Sequence, residues 1–213
     1  MKIDMVTVGP FQENCYLVSD ETTGRAALID PGDEPARILA MVRASRCALD
    51  AIWLTHAHLD HVGAVAAVVA ECGVPVYLHP ADRPLYDRVA DQARSYGLTM
   101  EAPPPPDHDL AEGDVMTVGS LKFDVVHLPG HAPGHVAFLG HGISLSGDLL
   151  FAGSIGRTDL PLSNPAHMAD SLERLAAWEA ATVVHPGHGP LTTIDAERRS
   201  NPFLTGSARV LRA

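Results

Sequence analysis

The sequence predicts a mixed α/β or α+β fold with one core, read as a single domain over residues 1–213. Three observations carry that prediction. Short apolar runs bounded by turn residues alternate with helical stretches in both halves of the chain. No strong internal repeat and no linker divides them, so strands and helices share one core. The composition is globular, with 46% apolar and 19% charged residues, and 213 residues bury a sizeable core without disulfides.

The elements follow in order. Lys2–Val8, Cys15–Ser19 and Arg25–Ile29 read as strands separated by Gly9-Pro10 and Thr23-Gly24. Asp33 as N-cap, with Pro35 in the first turn, predicts a helix through about Ala44. Ala51–Leu54 is an apolar run that leads into THAHLDH. A helix from about Val62 to Cys72 is expected next, stopped by Gly73. Val74–Leu78 returns to strand, and Arg83–Tyr96 reads as helix. Residues 101–109 are a loop, because the four prolines Pro103–Pro106 preclude helix. A rigid connection is the expected role of this run, ahead of a docking site for a proline-binding module. Val115–Val118 and Leu121–His127 form a hairpin around Gly119-Ser120, followed by strands at Val136–Leu139 and Ile143–Leu145. Asn164 caps a helix from Pro165 to Trp178. Thr182–Val184 is a last strand, and a short helix near Asp195–Ser200 precedes a mobile tail.

Composition bounds the function. Fifteen Lys plus Arg against 26 Asp plus Glu gives a net charge of −11, which argues against nucleic acid as a partner. The longest apolar stretch, Val62–Ala70, falls far short of the roughly 18 residues that a membrane span needs. The first 18 residues lack the apolar run and cleavage site of a signal peptide. Cys15, Cys47 and Cys72 form no close pair, so a reducing compartment, the cytoplasm, is expected. A small molecule is the expected partner, and homo-oligomerisation is left open.

The twelve histidines matter through their placement. Four apolar runs each end in potential metal ligands: AIWL in THAHLDH, FDVVHL in PGHAPGH, ISLS in GDLLF, and TVV in HPGHGP. Neighbouring strands would present His56, His58, Asp60, His61, His131, Asp148 and His188 along one rim. His56 and His58, two apart in extended backbone, point to one side. Asp60 and His61 fall where the chain turns into helix and face a second point. Two adjacent ions would then need a third imidazole each and a carboxylate between them, which His131, His188 and Asp148 supply.

These residues resemble the metallo-β-lactamase superfamily, and the likeness runs from PFQENCYLV at Pro10–Val18 to NPFL at Asn201–Leu204. The H-x-H-x-D-H motif at 56–61 carries it. The resemblance implies an αβ/βα sandwich of two mixed β-sheets flanked by helices. It assigns His56, His58 and His131 to one metal, Asp60, His61 and His188 to a second, and Asp148 to the bridge. Within the superfamily the chain is similar to short, single-domain glyoxalase II-like hydrolases, particularly over LFAGSIGRTDLP at Leu150–Pro161. The longer enzymes add a C-terminal helical region that holds glutathione, and carry an aromatic residue after the last metal histidine. Here Gly189-Pro190 follows His188 instead. Arg157 falls where those enzymes place a Lys toward glutathione, so it is the candidate substrate contact, with a salt bridge to Asp159 as the rival use. Asp30-Pro31-Gly32 is expected to brace the metal loops.

The expected activity is hydrolysis of a thioester such as S-lactoylglutathione by a metal-bound hydroxide, with Asp60 orienting it. Two divalent ions are implied. Imidazole and carboxylate ligands suit zinc first, with iron or manganese as alternatives. His135 is expected to support the ligands and His185 to hydrogen-bond within its loop. His79, His108, His127, His141 and His167 lack ligand-like company. The rival on the same fold is a persulfide dioxygenase with one iron on His56, His131 and Asp148. A metal-stabilised scaffold without activity is the reading outside enzymes.

Overall fold

The computed structural model describes residues 1–210. Strands β1 (Lys2–Val8), β2 (Glu13–Asp20) and β3 (Arg25–Ile29) lead to helix α1 (Pro35–Ser45) and strand β4 (Ala48–Trp53). Helices α2 (Leu59–Val62) and α3 (Val65–Cys72) precede β5 (Val76–Leu78), and α4 (Arg83–Tyr86) and α5 (Val89–Ser95) precede β6 (His108–Asp109). The second half holds β7 (Val115–Val118), β8 (Leu121–His127), β9 (Val136–Gly140) and β10 (Ile143–Gly147). A small hairpin of β11 (Leu150–Phe151) and β12 (Ser154–Ile155) leads to α6 (Pro165–Ala176). Strands β13 (Val183–Pro186) and β14 (Thr192–Thr193) and helices α7 (Ile194–Ser200) and α8 (Pro202–Thr205) follow.

Two six-stranded mixed sheets result, ordered β1-β2-β3-β4-β5-β6 and β14-β13-β10-β9-β8-β7. Alternation along each strand divides the core into layers. In β2, Tyr16 and Val18 join Trp53, Phe123 and Phe138 between the sheets. Cys15 and Leu17, on the opposite face, pack with Ile38 of α1 and Val65 and Val68 of α3. Beyond the second sheet, Ala137 and Val184 pack on Met168, Leu172 and Leu175 of α6. This is the mixed α/β sandwich with outer helices that the resemblance implied. Among the described residues no helix is long and apolar enough to cross a membrane.

Several boundaries differ from the expected ones for local reasons. Asp33 does not cap α1. Glu34 precedes that helix at φ 48° with no side-chain cap, its carboxylate accepting the Gly9 N–H at 3.0 Å. The helix expected from Val62 breaks at Gly63-Ala64, because Ala64 N–H donates to the Pro31 carbonyl at 2.9 Å. The helix expected over Arg83–Tyr96 is two short ones. The tail is anchored through Thr205. Asn201 caps α8, and its amide donates to the Ser154 carbonyl at 3.0 Å and to buried Glu197 at 2.8 Å. The last residues of the expected mobile tail, 211–213, lie outside the described residues.

The inter-sheet aromatic cluster gives the first prediction. The Phe138 ring is fully buried with its centroid 5.2 Å from that of Trp53. Phe138→Ala is expected to lower unfolding free energy by about 3–5 kcal/mol, read as an earlier urea midpoint.

Candidate metal centre

Four strand ends converge on one place. His56 and His58 follow β4, His131 lies in the loop after β8, Asp148 follows β10, and His188 follows β13. Asp60 and His61 sit on α2, whose N-cap is His58 in extended conformation. Both sheets therefore contribute, and all seven residues predicted from sequence come together.

They form two sets. His56, His58 and His131 offer ligand atoms within 4.8 Å of one another, as do Asp60, His61 and His188. Asp148 lies between the sets. Its Oδ2 is 3.5 Å from His131 Nε2 and 3.4 Å from His188 Nε2, and its Oδ1 is 3.3 Å from His61 Nε2. Asp60 Oδ2 is 3.3 Å from His188 Nε2. Asp30 also groups with His56 and His61, but its carboxylate is already engaged. Oδ1 accepts the Thr55 N–H at 2.7 Å, and Oδ2 faces the Thr55 hydroxyl at 2.6 Å and His61 Nδ1 at 3.0 Å. The Asp30-Pro31-Gly32 segment is the brace expected from sequence.

The outer nitrogens of four imidazoles each meet an oxygen. His61 Nδ1 donates to Asp30, His131 Nδ1 to the Arg157 carbonyl at 2.8 Å, and His188 Nδ1 to the Phe11 carbonyl at 3.1 Å. Thr55 gives its hydroxyl proton to Asp30, so at 3.0 Å it accepts from His56 Nδ1. In the neutral ring each Nε2 is then left with an inward lone pair. His56 Nε2, His61 Nε2 and Asp148 Oδ1 are buried without a hydrogen-bond partner. Buried polar atoms are rarely left so, and imidazole with carboxylate is a donor set for divalent cations. The residues fit a pair of such ions.

Electrostatics separates the two sets. Burial holds His56 well below the usual imidazole range, and burial plus the neighbouring His131 lowers His58 to about 3. His131 is lowered by burial as well. In the second set, burial opposes the charge on His188, but hydrogen bonds to Asp148 and Asp60 outweigh it and raise the group to about 9. His61 is raised in the same way, chiefly through Asp148. Burial works to raise Asp148 and Asp60, yet the surrounding imidazoles hold both carboxyls low.

Two glycines let backbone reach the centre. A Cβ on Gly156 would lie 1.8 Å from the Asp148 carbonyl oxygen, and one on Gly187 would lie 2.2 Å from Asp148 Oδ1. Fully buried His135 accepts the Asp148 N–H at 3.1 Å, the supporting role expected of it.

Asp82 and Glu13 were not legible in the sequence as parts of the site. The Asp82 carboxylate accepts the Ala57 N–H at 2.9 Å and the Gly134 N–H at 2.5 Å. It ties together the loops that carry His58 and His131, and burial raises it to about 6. Its one sequence signal is an acid directly after the apolar run VYLHPA. Glu13 is fully buried with neither oxygen hydrogen-bonded, 3.9 Å from His61 Nδ1. The Arg157 guanidinium pairs with Asp159 at 2.9 and 3.0 Å in an exposed ion pair, the rival use read from sequence, while its carbonyl orients His131. His185 makes no ring hydrogen bond through Nδ1. It packs edge-on to Tyr16 at 5.4 Å. His79 and His127, expected to lack ligand-like company, stack on each other at 4.2 Å.

This fold with this cluster defines a class of metallo-hydrolases. A family profile described as the metallo-beta-lactamase superfamily matches residues 8–188, and the chain belongs to that superfamily. It is similar to hydroxyacylglutathione hydrolase GloC of Haemophilus influenzae, 36% identical over 98% of this chain and 100% of that protein. It is also similar to TTHA1623 in a di-iron-bound form, 51% identical with a TM-score of 0.87, over 94% of this chain and 100% of that one. The BLEG-1 B3 metallo-beta-lactamase superposes with a TM-score of 0.89 at 36% identity, over 96% of this chain and 100% of that one.

The unequal charge states predict unequal proton release. At pH 7.5 His188, raised to about 9, is protonated in the metal-free protein, so filling the Asp60, His61, His188 set expels protons. The His56, His58, His131 set is already neutral and expels none. Calorimetric zinc titration in buffers of different ionisation enthalpy is expected to show one binding phase with proton release. That phase strengthens as pH rises toward 9, and the other is insensitive to pH.

Proposed function

We propose that this chain is a dinuclear metal-dependent hydrolase that cleaves a thioester, in the manner of a glyoxalase II-like enzyme. The observation that carries this reading is Asp148, one carboxylate within 3.5 Å of imidazoles from both sets. Similarity to GloC, named a hydroxyacylglutathione hydrolase, supports the thioester class.

In this reading His56, His58 and His131 would hold one divalent ion, Asp60, His61 and His188 would hold a second, and Asp148 is the carboxylate placed to serve both. Such ions supply an acidified water and polarise a carbonyl oxygen. The chain does the rest. Asp60, its carboxyl held low and so ionised, is available to orient an attacking water by accepting a hydrogen bond from it. The braces on His56, His61, His131 and His188 fix the ligands before substrate arrives, so little reorganisation accompanies reaction. A thiolate leaves without prior protonation, which suits a site whose other groups face the ions. Arg157 becomes a substrate contact when an anionic group displaces Asp159 from its guanidinium. The three free cysteines suit a reducing compartment such as the cytoplasm. Zinc and iron both match the donors, and a relative 51% identical is known in a di-iron-bound form.

Metal quantification on protein purified without added metal is expected to give two ions per chain, and a thioester panel is expected to show turnover. One iron per chain, with oxygen consumed on glutathione persulfide and no thioester cleaved, would establish the dioxygenase instead. A β-lactam in the same panel tests the third chemistry known on this fold. Asp148→Ala is expected to lower both metal content and thioester turnover, the latter by about 100-fold or more. Normal values for both would overturn the bridging role.

A further inference from the structure

A cleft of about 260 Å³ opens beside the metal centre and has no part in the reading above. Small residues line it: Ala66 and Ala67 of α3, and Gly63, where a Cβ would lie 2.2 Å from the Gly32 carbonyl oxygen. Leu98 and Met100 add apolar wall. The charged residues lining it are all acidic, Asp33, Asp60 and Glu101, with no Lys, Arg or His.

Two walls are shared with the centre. Asp60 lines the cleft, and its carboxylate lies beside His188. Phe11 lines it too, and its carbonyl holds His188 Nδ1. The wall formed by Leu98–Glu101 runs directly into Pro103–Pro106. The Tyr86 hydroxyl donates to the Pro104 carbonyl at 2.9 Å, and Met100 packs on the core under the first sheet. The stiff proline segment therefore keeps that wall in place.

We propose that this cleft receives the acyl chain of the thioester and selects a medium-length apolar chain over one that ends in a carboxylate. The inference rests on the hydrolase reading. An apolar chain gains burial against Ala66, Ala67, Leu98 and Met100. Away from the metal ligand Asp60, a terminal carboxylate meets Asp33 and Glu101, with no Lys, Arg or His among the lining residues to pair with, which is discrimination by repulsion. Glutathione, with its two carboxylates, stays outside the cleft, and the acyl half enters.

Thioesters of one uncharged thiol, N-acetylcysteamine, test this with acetyl, hexanoyl and adipoyl groups. The hexanoyl ester is expected to exceed both others in kcat/KM by about tenfold or more. Ala67→Leu, a change helices tolerate, is expected to cut the hexanoyl-to-acetyl ratio about tenfold. Asp33→Asn with Glu101→Gln is expected to raise the adipoyl ester selectively. A second arm needs no turnover. Titration of the metal-loaded protein with 2-octanone is expected to shift the methyl resonances of Ala66, Ala67 and Met100, and 7-oxooctanoate is expected to leave them in place. Thioester turnover with a flat acyl profile, or a preference for adipoyl, overturns the cleft assignment. So do unmoved methyl resonances. Shifted resonances without cleavage of any thioester keep the cleft and overturn the hydrolase.

Discussion

The structure depends on one constraint: the outer nitrogens of four imidazoles are committed to oxygen acceptors. His56 meets Thr55, His61 meets Asp30, His131 meets the Arg157 carbonyl, and His188 meets the Phe11 carbonyl. Each contact fixes a ring's tautomer and turns its Nε2 inward. Without these partners the rings would rotate, and a buried cluster of unpaired nitrogens would have no reason to persist. The braces come from elements far apart in sequence, so the core beneath them is what holds a small centre in register.

That core explains the position of the site. Both sheets present strand ends at one rim, with the Trp53, Phe123 and Phe138 cluster packed between the sheets. The loops that follow are short and cross-tied. Asp30 links the end of β3 to Thr55 and His61, and Asp82 links Ala57 to Gly134. A carboxylate that accepts backbone N–H groups from two loops limits their relative motion better than apolar contact does, because its bonds are directional. The same density forces glycine at 156 and 187, where a single methyl would strike Asp148.

Charge follows the same division of labour. One trio of imidazoles is buried among its own kind and stays neutral. The other two imidazoles, His61 and His188, face Asp60 and Asp148 and carry charge that those carboxylates balance. Two positions so different in field sit within one cluster, bridged by one side chain.

Much of this was written in the chain's local patterns. Strand periodicity placed β1, β3, β7 and β8 at their observed limits, and Asn164 capped α6 as read. H-x-H-x-D-H, PGH, GD and HPGH marked the seven residues that converge, because strand-end loops signal chemistry through residue type alone. Tertiary structure decided the rest. The break at Gly63-Ala64 follows from a bond to Pro31, the anchoring of Asn201 from a distant hairpin, and the clamp at Asp82 from two loops that no short window joins. Arg157 shows the division most clearly: sequence offered its guanidinium to substrate or to Asp159, and only the fold pairs it with Asp159 and sets its carbonyl on His131. Periodicity and residue chemistry are local properties and can be read from the chain. Partners for backbone and buried polar groups are set only when distant segments share one interior.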